Sequence, residues 1–178
     1  MLGLAPVTQL AVVGIYWLVI MGLVLGTFVD FDHMILPDRV TLGGMLLGVI
    51  ASALVPALHD QTTWVGGLIQ SIIGLSVGFG SLWAVAVLGE FAFKKEAMGF
   101  GDVKLMGAIG AFFGWPAVLF TMIMASFAGT FVGVGLILAR KKEMQSRIPF
   151  GPYLALGTLL WMFWGPQIWN AYLNLLMP

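Results

Sequence analysis

The sequence predicts an all-α, polytopic membrane protein with six transmembrane helices. Three observations carry that prediction. First, 60% of the residues are hydrophobic and 9% are charged, with a mean hydropathy of +1.02. A soluble domain carries about a quarter charged residues, so this chain cannot cover a water-facing surface. Second, apolar runs of about 20 residues, enough to cross a bilayer as a helix, recur along the chain. Third, the basic residues collect in alternate loops. The absence of cysteine excludes disulfides and thiolate metal sites. Residues 1–6 hold no basic segment, so the first apolar run reads as a retained span.

The first three spans fall at 7–29, 40–58 and 64–89. The next apolar run, 104–139, would be about 54 Å long as one helix, against a hydrocarbon core of about 30 Å. Gly114-Trp115-Pro116 interrupts it, and proline ends a helix or begins a new one. The run therefore divides into a short helix, 103–113, and a full one, 116–139. A sixth span covers 150–166, and Gly165-Pro166 separates it from a short terminal helix at 167–177. Residues 1–178 thus read as a single membrane-embedded domain. With this division the basic residues Arg39, Lys94, Lys95, Lys104, Arg140, Lys141, Lys142 and Arg147 fall in the loops after spans one, three and five. Those loops share one face, which the positive-inside rule assigns to the cytoplasm, leaving the N-terminus outside. An undivided 104–139 would set Arg140 and its neighbours opposite Lys94 and Lys95.

The acidic residues Asp30, Asp32, Asp38, Glu90, Glu96, Asp102 and Glu143 lie on that same face. Asp30 closes span one and Asp102 opens span four, so two carboxylates from separate helices share one depth. Asp30 follows its apolar run without a polar buffer, and ionisable groups so placed are costly and face a cavity or a partner. Asp102 follows Gly99-Phe100-Gly101. One reading makes it a helix N-cap preceded by glycines. The other uses the Cβ-free backbone to admit an extended peptide. The two are compatible. Asp38, just after Pro37, reads as the cap of span two. Asp30, Asp32, His33 and Asp38 also offer metal donors, but nothing elsewhere completes a recognisable ligand set, so no metal or cofactor is expected. Paired carboxylates on facing helices suggest aspartyl chemistry. The two share a proton, one acting as general base on water while the protonated one polarises a carbonyl.

At this point the residues carry a resemblance. DFDHMILPD (30–38), MGFGDVKLMGAIGAFFGW (98–115) and IPFGPYLA (148–155), in that order and spacing, resemble the type IV prepilin peptidase family, a group of GxGD-type membrane aspartic peptidases. The resemblance runs from about residue 20 across nearly the whole chain. It implies that Asp30 and Asp102 are the catalytic pair. It also implies a prepilin or pseudopilin substrate with a short basic leader, cut at the cytoplasmic face of the inner membrane in type IV pilus or type II secretion systems. The N-terminus is then periplasmic.

Substrate contacts are expected from Gly99, Gly101, Asp32, Asp38, Glu96 and Lys104. Glu96, with Glu90, Asp32 and Glu143, would attract the basic leader, against the plainer reading of a solvated loop; the lysines would meet anionic lipid headgroups. Lys104 either acts electrostatically on Asp102 or anchors its helix at the interface. Many family members carry paired cysteines in an N-terminal segment linked to methylation. With no cysteine and a first span near residue 7, peptidase activity is expected without that methyltransferase segment. Residues 148–153 shape the entry to span six and are a candidate groove wall. The glycines of 43–48, 66–80 and 107–134 read as close helix packing. His59 lies on the far face with no chemical role. No nucleic-acid or phosphate-binding pattern is present. Two readings from other classes stay open. A proton-coupled transporter subunit would use both carboxylates as a relay, although transport sites usually sit near the midplane. A non-catalytic assembly subunit of a secretion machine would tolerate loss of either carboxylate.

Overall fold

A computed structural model describes residues 5–94, 98–139 and 149–176. Five α-helices follow one another: α1 (Pro6–His33), α2 (Asp38–Leu54), α3 (Trp64–Phe93), α4 (Phe100–Leu138) and α5 (Gly151–Leu176), with a 3-10 turn at Pro56–His59. No strand occurs among the described residues. Helices α1, α3 and α4 are long and apolar enough to cross a membrane. Many of their large apolar side chains point outward, as Trp17, Met21, Phe28, Leu88, Phe91, Phe127 and Phe131 do, while Thr41, Ser52, Ser71 and Thr158 are buried. That distribution suits a lipid solvent, where helix association rests on close packing and interhelical hydrogen bonds.

Helix α4 is broken at Gly114, which takes φ 77° and ψ 175°. A Cβ on Gly110 would lie 3.0 Å from Cγ2 of Val118, and one on Gly78 would lie 3.2 Å from the same atom. Eight residues of straight helix would hold Gly110 and Val118 about 12 Å apart. The chain therefore doubles back, giving a first limb, 100–113, and a second limb, 115–138. Only glycine adopts that φ without strain, and Pro116 opens the second limb where its missing N–H costs nothing. The break falls where Gly114-Trp115-Pro116 predicts it.

The first limb is the centre of the molecule. Val103, Met106, Ile109, Ala111 and Phe112 are all buried. Glycines bring its neighbours in. A Cβ on Gly48 of α2 would lie 2.8 Å from that of Ala111, and one on Gly44 3.2 Å from that of Ala108. On α3, Gly74 faces the carbonyl of Gly110 and Gly78 that of Met106, backbone against backbone. At the broken end, Ser52 Oγ and Ser71 Oγ both donate to the Ala111 carbonyl, at 3.0 and 2.7 Å, satisfying a group that a helix end leaves free. His59 Nε2 lies 2.8 Å from Ser52 Oγ and completes this cap.

Helices α1 and α3 run on to His33 and Phe93, past the expected 29 and 89, α4 starts at Phe100 before the expected 103, and two further boundaries move. Helix α2 stops at Leu54, and Pro56 opens a 3-10 turn instead of extending the helix to 58. Helix α5 continues through Gly165-Pro166 to Leu176, with no separate terminal helix. The proline removes one backbone hydrogen bond, a loss that helices in a membrane tolerate, and Gly165 leaves room for the Trp161 ring beside it.

Candidate active site

Asp30 lies in the last turn of α1 and Asp102 in the first turn of α4, and they are only 5% and 8% exposed. The two carboxyl groups are close enough to interact electrostatically. Local sequence explains how each is presented. Helix α1 ends when Met34 enters the left-handed region at φ 53° and its N–H caps the Asp30 carbonyl at 2.9 Å. The linker then runs through Ile35, Leu36 and Pro37, and the Pro37 carbonyl accepts from the N–H groups of Val40 and Thr41 to start α2. On the other side, α4 starts at Phe100, and the Asp102 N–H donates to the Gly99 carbonyl at 3.1 Å.

The Asp30 side chain is held by a third helix. The backbone N–H of Gly151, at the start of α5, donates to Asp30 Oδ2 at 3.1 Å. A Cβ on Gly151 would lie 2.6 Å from that oxygen, so glycine is what lets the amide reach the carboxylate. Hydrogen bonds from a backbone amide to an ionisable carboxyl are among the stronger ones.

Leu36 packs between these elements. It is 5% exposed, while its neighbours Met34 and Ile35 face outward. Its side chain meets the bare Cα positions of Gly26, Gly101 and Gly151. Beyond Gly151, the residues Ser126, Gly129 and Thr130 of the second limb of α4, Phe150 just before α5 and Tyr153 of α5 line an open groove of about 320 Å³.

Several expected roles change. Asp102 is the third residue of its helix, with its N–H donating to the Gly99 carbonyl, and is not the N-cap. Asp38 makes no capping hydrogen bond either; Pro37 is the cap residue and Asp38 the first residue of α2. Lys104 turns to Asp38, with Nζ 2.6 Å from Oδ1 and 5.2 Å from the centre of the Phe100 ring, and so joins the first turns of α4 and α2. Gly101 is bare because Leu36 of the chain itself lies against it: a Cβ on Gly101 would stand 2.9 Å from that of Leu36. Gly99 is exposed, and a Cβ there would meet only Asp102 Oδ2 at 3.5 Å. Asp32 and His33 are exposed, as is Glu90. Glu96 and Glu143 lie outside the described residues. The sequence reading passed over Leu36, which stands in DFDHMILPD, and took Gly151 only as part of the candidate groove wall at 148–153, not as the partner of Asp30.

The model of the type IV leader peptidase family matches residues 17–134. The chain is 37% identical over 152 residues to a prepilin leader peptidase/N-methyltransferase of Aeromonas hydrophila, covering 83% of this chain and 48% of the relative. It is 36% identical over 155 residues to the protein of that name from Pseudomonas aeruginosa, covering 86% and 50%. For the one from Legionella pneumophila the identity is 33% over 147 residues, covering 83% and 48%. The chain spans about half the length of the curated relatives it matches. No solved structure matches it. With two buried aspartates on facing helix ends and this extent of similarity, the chain belongs to the type IV leader peptidase family.

Proposed function

We propose that the chain is a membrane aspartic endopeptidase that removes the short basic leader from type IV prepilins or pseudopilins at the cytoplasmic face of the bacterial inner membrane. The observation that carries this reading is the pairing of Asp30 and Asp102, both buried, with the Gly151 amide on Asp30. One carboxylate takes a proton from a water as that water attacks the scissile carbonyl. The other carboxyl, protonated, gives its proton to the carbonyl oxygen. Collapse of the tetrahedral intermediate passes a proton to the leaving amine, and the pair again shares one proton. The groove of Ser126, Gly129, Thr130, Phe150 and Tyr153 lies next to the amide that holds Asp30 and offers room for substrate. Exposed Gly99 leaves an open approach to Asp102.

In the topology we propose, α1, α2, α3, the two limbs of α4, and α5 make six crossings, with the N-terminus periplasmic. The first limb, about 21 Å long, is shorter than a hydrocarbon core of about 30 Å, which suits a carboxylate held at the membrane lip. Asp32 and Glu96 meet the basic leader, and the lysines and arginines of the same face meet anionic lipid. Asp38 and Lys104, engaged with each other, hold the rim of the site.

The test is cleavage of a prepilin by the purified chain in detergent, with chelator present, alongside Asp30→Asn and Asp102→Asn. General acid and base groups each contribute about 10²- to 10⁴-fold, so both variants should lose at least that much while staying folded. Cleavage by either variant at the wild-type rate would refute the aspartyl reading.

A further inference from the structure

We infer that Leu36 is a positioning residue of the site, the spacer that sets the two aspartates relative to each other. The inference rests on the aspartyl reading above and extends it to a residue with no chemistry of its own. Leu36 is the buried member of an otherwise outward-facing linker: Met34 and Ile35 are 53% and 68% exposed, Leu36 5%. Its side chain converges on three glycines, each tied to a carboxyl group. Gly26, 3.3 Å from Leu36 Cδ2 at its would-be Cβ, lies one helical turn before Asp30. Gly101, 2.9 Å from Leu36 Cβ on the same measure, immediately precedes Asp102. Gly151, 3.5 Å from Leu36 Cδ1, supplies the amide that binds Asp30.

Contacts to bare backbone transmit position rigidly, since no intervening side chain can change rotamer to absorb a shift. The linker that carries Leu36 is itself anchored, by the left-handed Met34 at one end and by Pro37, with φ −63°, at the other. A smaller side chain would leave space at the junction of α1, α4 and α5, and the carboxyl groups would lose their fixed separation. Misplacement of a reacting group by about 1 Å costs about 10²-fold in rate.

Among the described residues, the charge of Asp30 acts on Asp102 of α4, α5 contributes the neutral Gly151 amide to Asp30, and Lys104 and Asp38 are engaged with each other at the rim. The width of the pH–rate profile therefore reports the coupling between the two aspartates, because a coupled pair titrates in two steps that draw together as the coupling weakens.

The experiment uses the full chain in detergent with a prepilin substrate. It compares wild type, Leu36→Ala, Leu36→Val and Leu36→Met by kcat, KM, thermal stability and pH–rate profile, each measured well below the midpoint of unfolding. Leu36→Ala should lower kcat about 10- to 100-fold with KM changed less than about twofold, and it should narrow the profile. Leu36→Met, close in volume, should restore both. Leu36→Val should fall between, and it carries the comparison with Leu36→Met if the alanine variant does not fold. Wild-type kcat in the smaller variants would overturn the inference. So would a loss of kcat that follows thermal stability with an unchanged profile, which is the signature of a merely structural leucine. Cleavage persisting in Asp30→Asn would instead remove the aspartyl reading, and the inference with it.

Discussion

Gly151→Ala puts the geometry of the site to a direct test. The added methyl carbon would lie 2.6 Å from Asp30 Oδ2 and 3.3 Å from its Cγ. Ordinary carbon–oxygen contacts begin near about 3.3 Å, so the carboxyl has to retreat by about 0.7 Å or rotate away. Either movement strains or breaks the 3.1 Å hydrogen bond from the Gly151 amide. A hydrogen bond to a charged group is worth about 1.5–3 kcal/mol. If that loss appears in the transition state at about 1.4 kcal/mol per tenfold, kcat falls about 10- to 150-fold. The rest of the protein should tolerate the change, because the third neighbour, Leu36 Cδ1, stands 3.5 Å away at ordinary contact distance and alanine favours a helical first turn. The assay is steady-state cleavage of a prepilin by the variant and by wild type, with thermal unfolding of both. A variant that cleaves within twofold of wild type, at equal stability, would refute the claim that the amide–carboxylate contact holds Asp30 for catalysis.

Other expectations follow from the packing. Gly110→Leu drives a side chain into the Gly74 backbone on α3, where no rotamer can give way; unfolding should move down by many degrees or the protein should fail to accumulate, and a stable variant would contradict the backbone contact. Lys104→Ala and Asp38→Ala should each cost at most about 1 kcal/mol and combine without a further penalty, since the pair is partly exposed; a double-mutant cycle with a larger coupling would show that the pair is structural. Burial pushes the His59 imidazole below its ordinary 6.5, with the Ala111 carbonyl and Asp60 opposing. The unfolded chain then binds the proton first, so this contribution leaves stability unchanged well above pH 6.5 and lowers it as the pH falls from there through the folded value. His59→Gln should flatten the midpoint of unfolding over that window, and an unaltered acid slope would rule out His59 as the source.

Much of the architecture is legible because it is set by local or compositional constraints. A chain of 60% hydrophobic residues must satisfy its backbone in lipid, and it does so here as helices. Gly114-Trp115-Pro116 marks the reversal of α4, because positive φ and a missing N–H are properties of those residues themselves. The same residue-level logic misjudged Pro166, since packing around Trp161 and Gly165 holds α5 together through it. It also misread Asp38 as a cap and offered the same role as one of two readings of Asp102, because one or two residues of helix register decide whether a carboxylate faces its own backbone or a neighbouring helix.

What the sequence by itself determined is that Asp30 and Asp102 stand at helix ends on one face; charge and apolar length along one dimension are enough for that. Only the tertiary structure decided what fills the space around them. The Gly151 amide reaches Asp30 from 121 residues away, and Leu36 turns inward from a linker whose neighbouring apolar side chains, Met34 and Ile35, face outward, to meet three glycines on three helices. No local propensity encodes either contact. Both arise because glycines at the crossing points let three backbones come within one side chain of each other, and that closeness exists only once all three helices are in place.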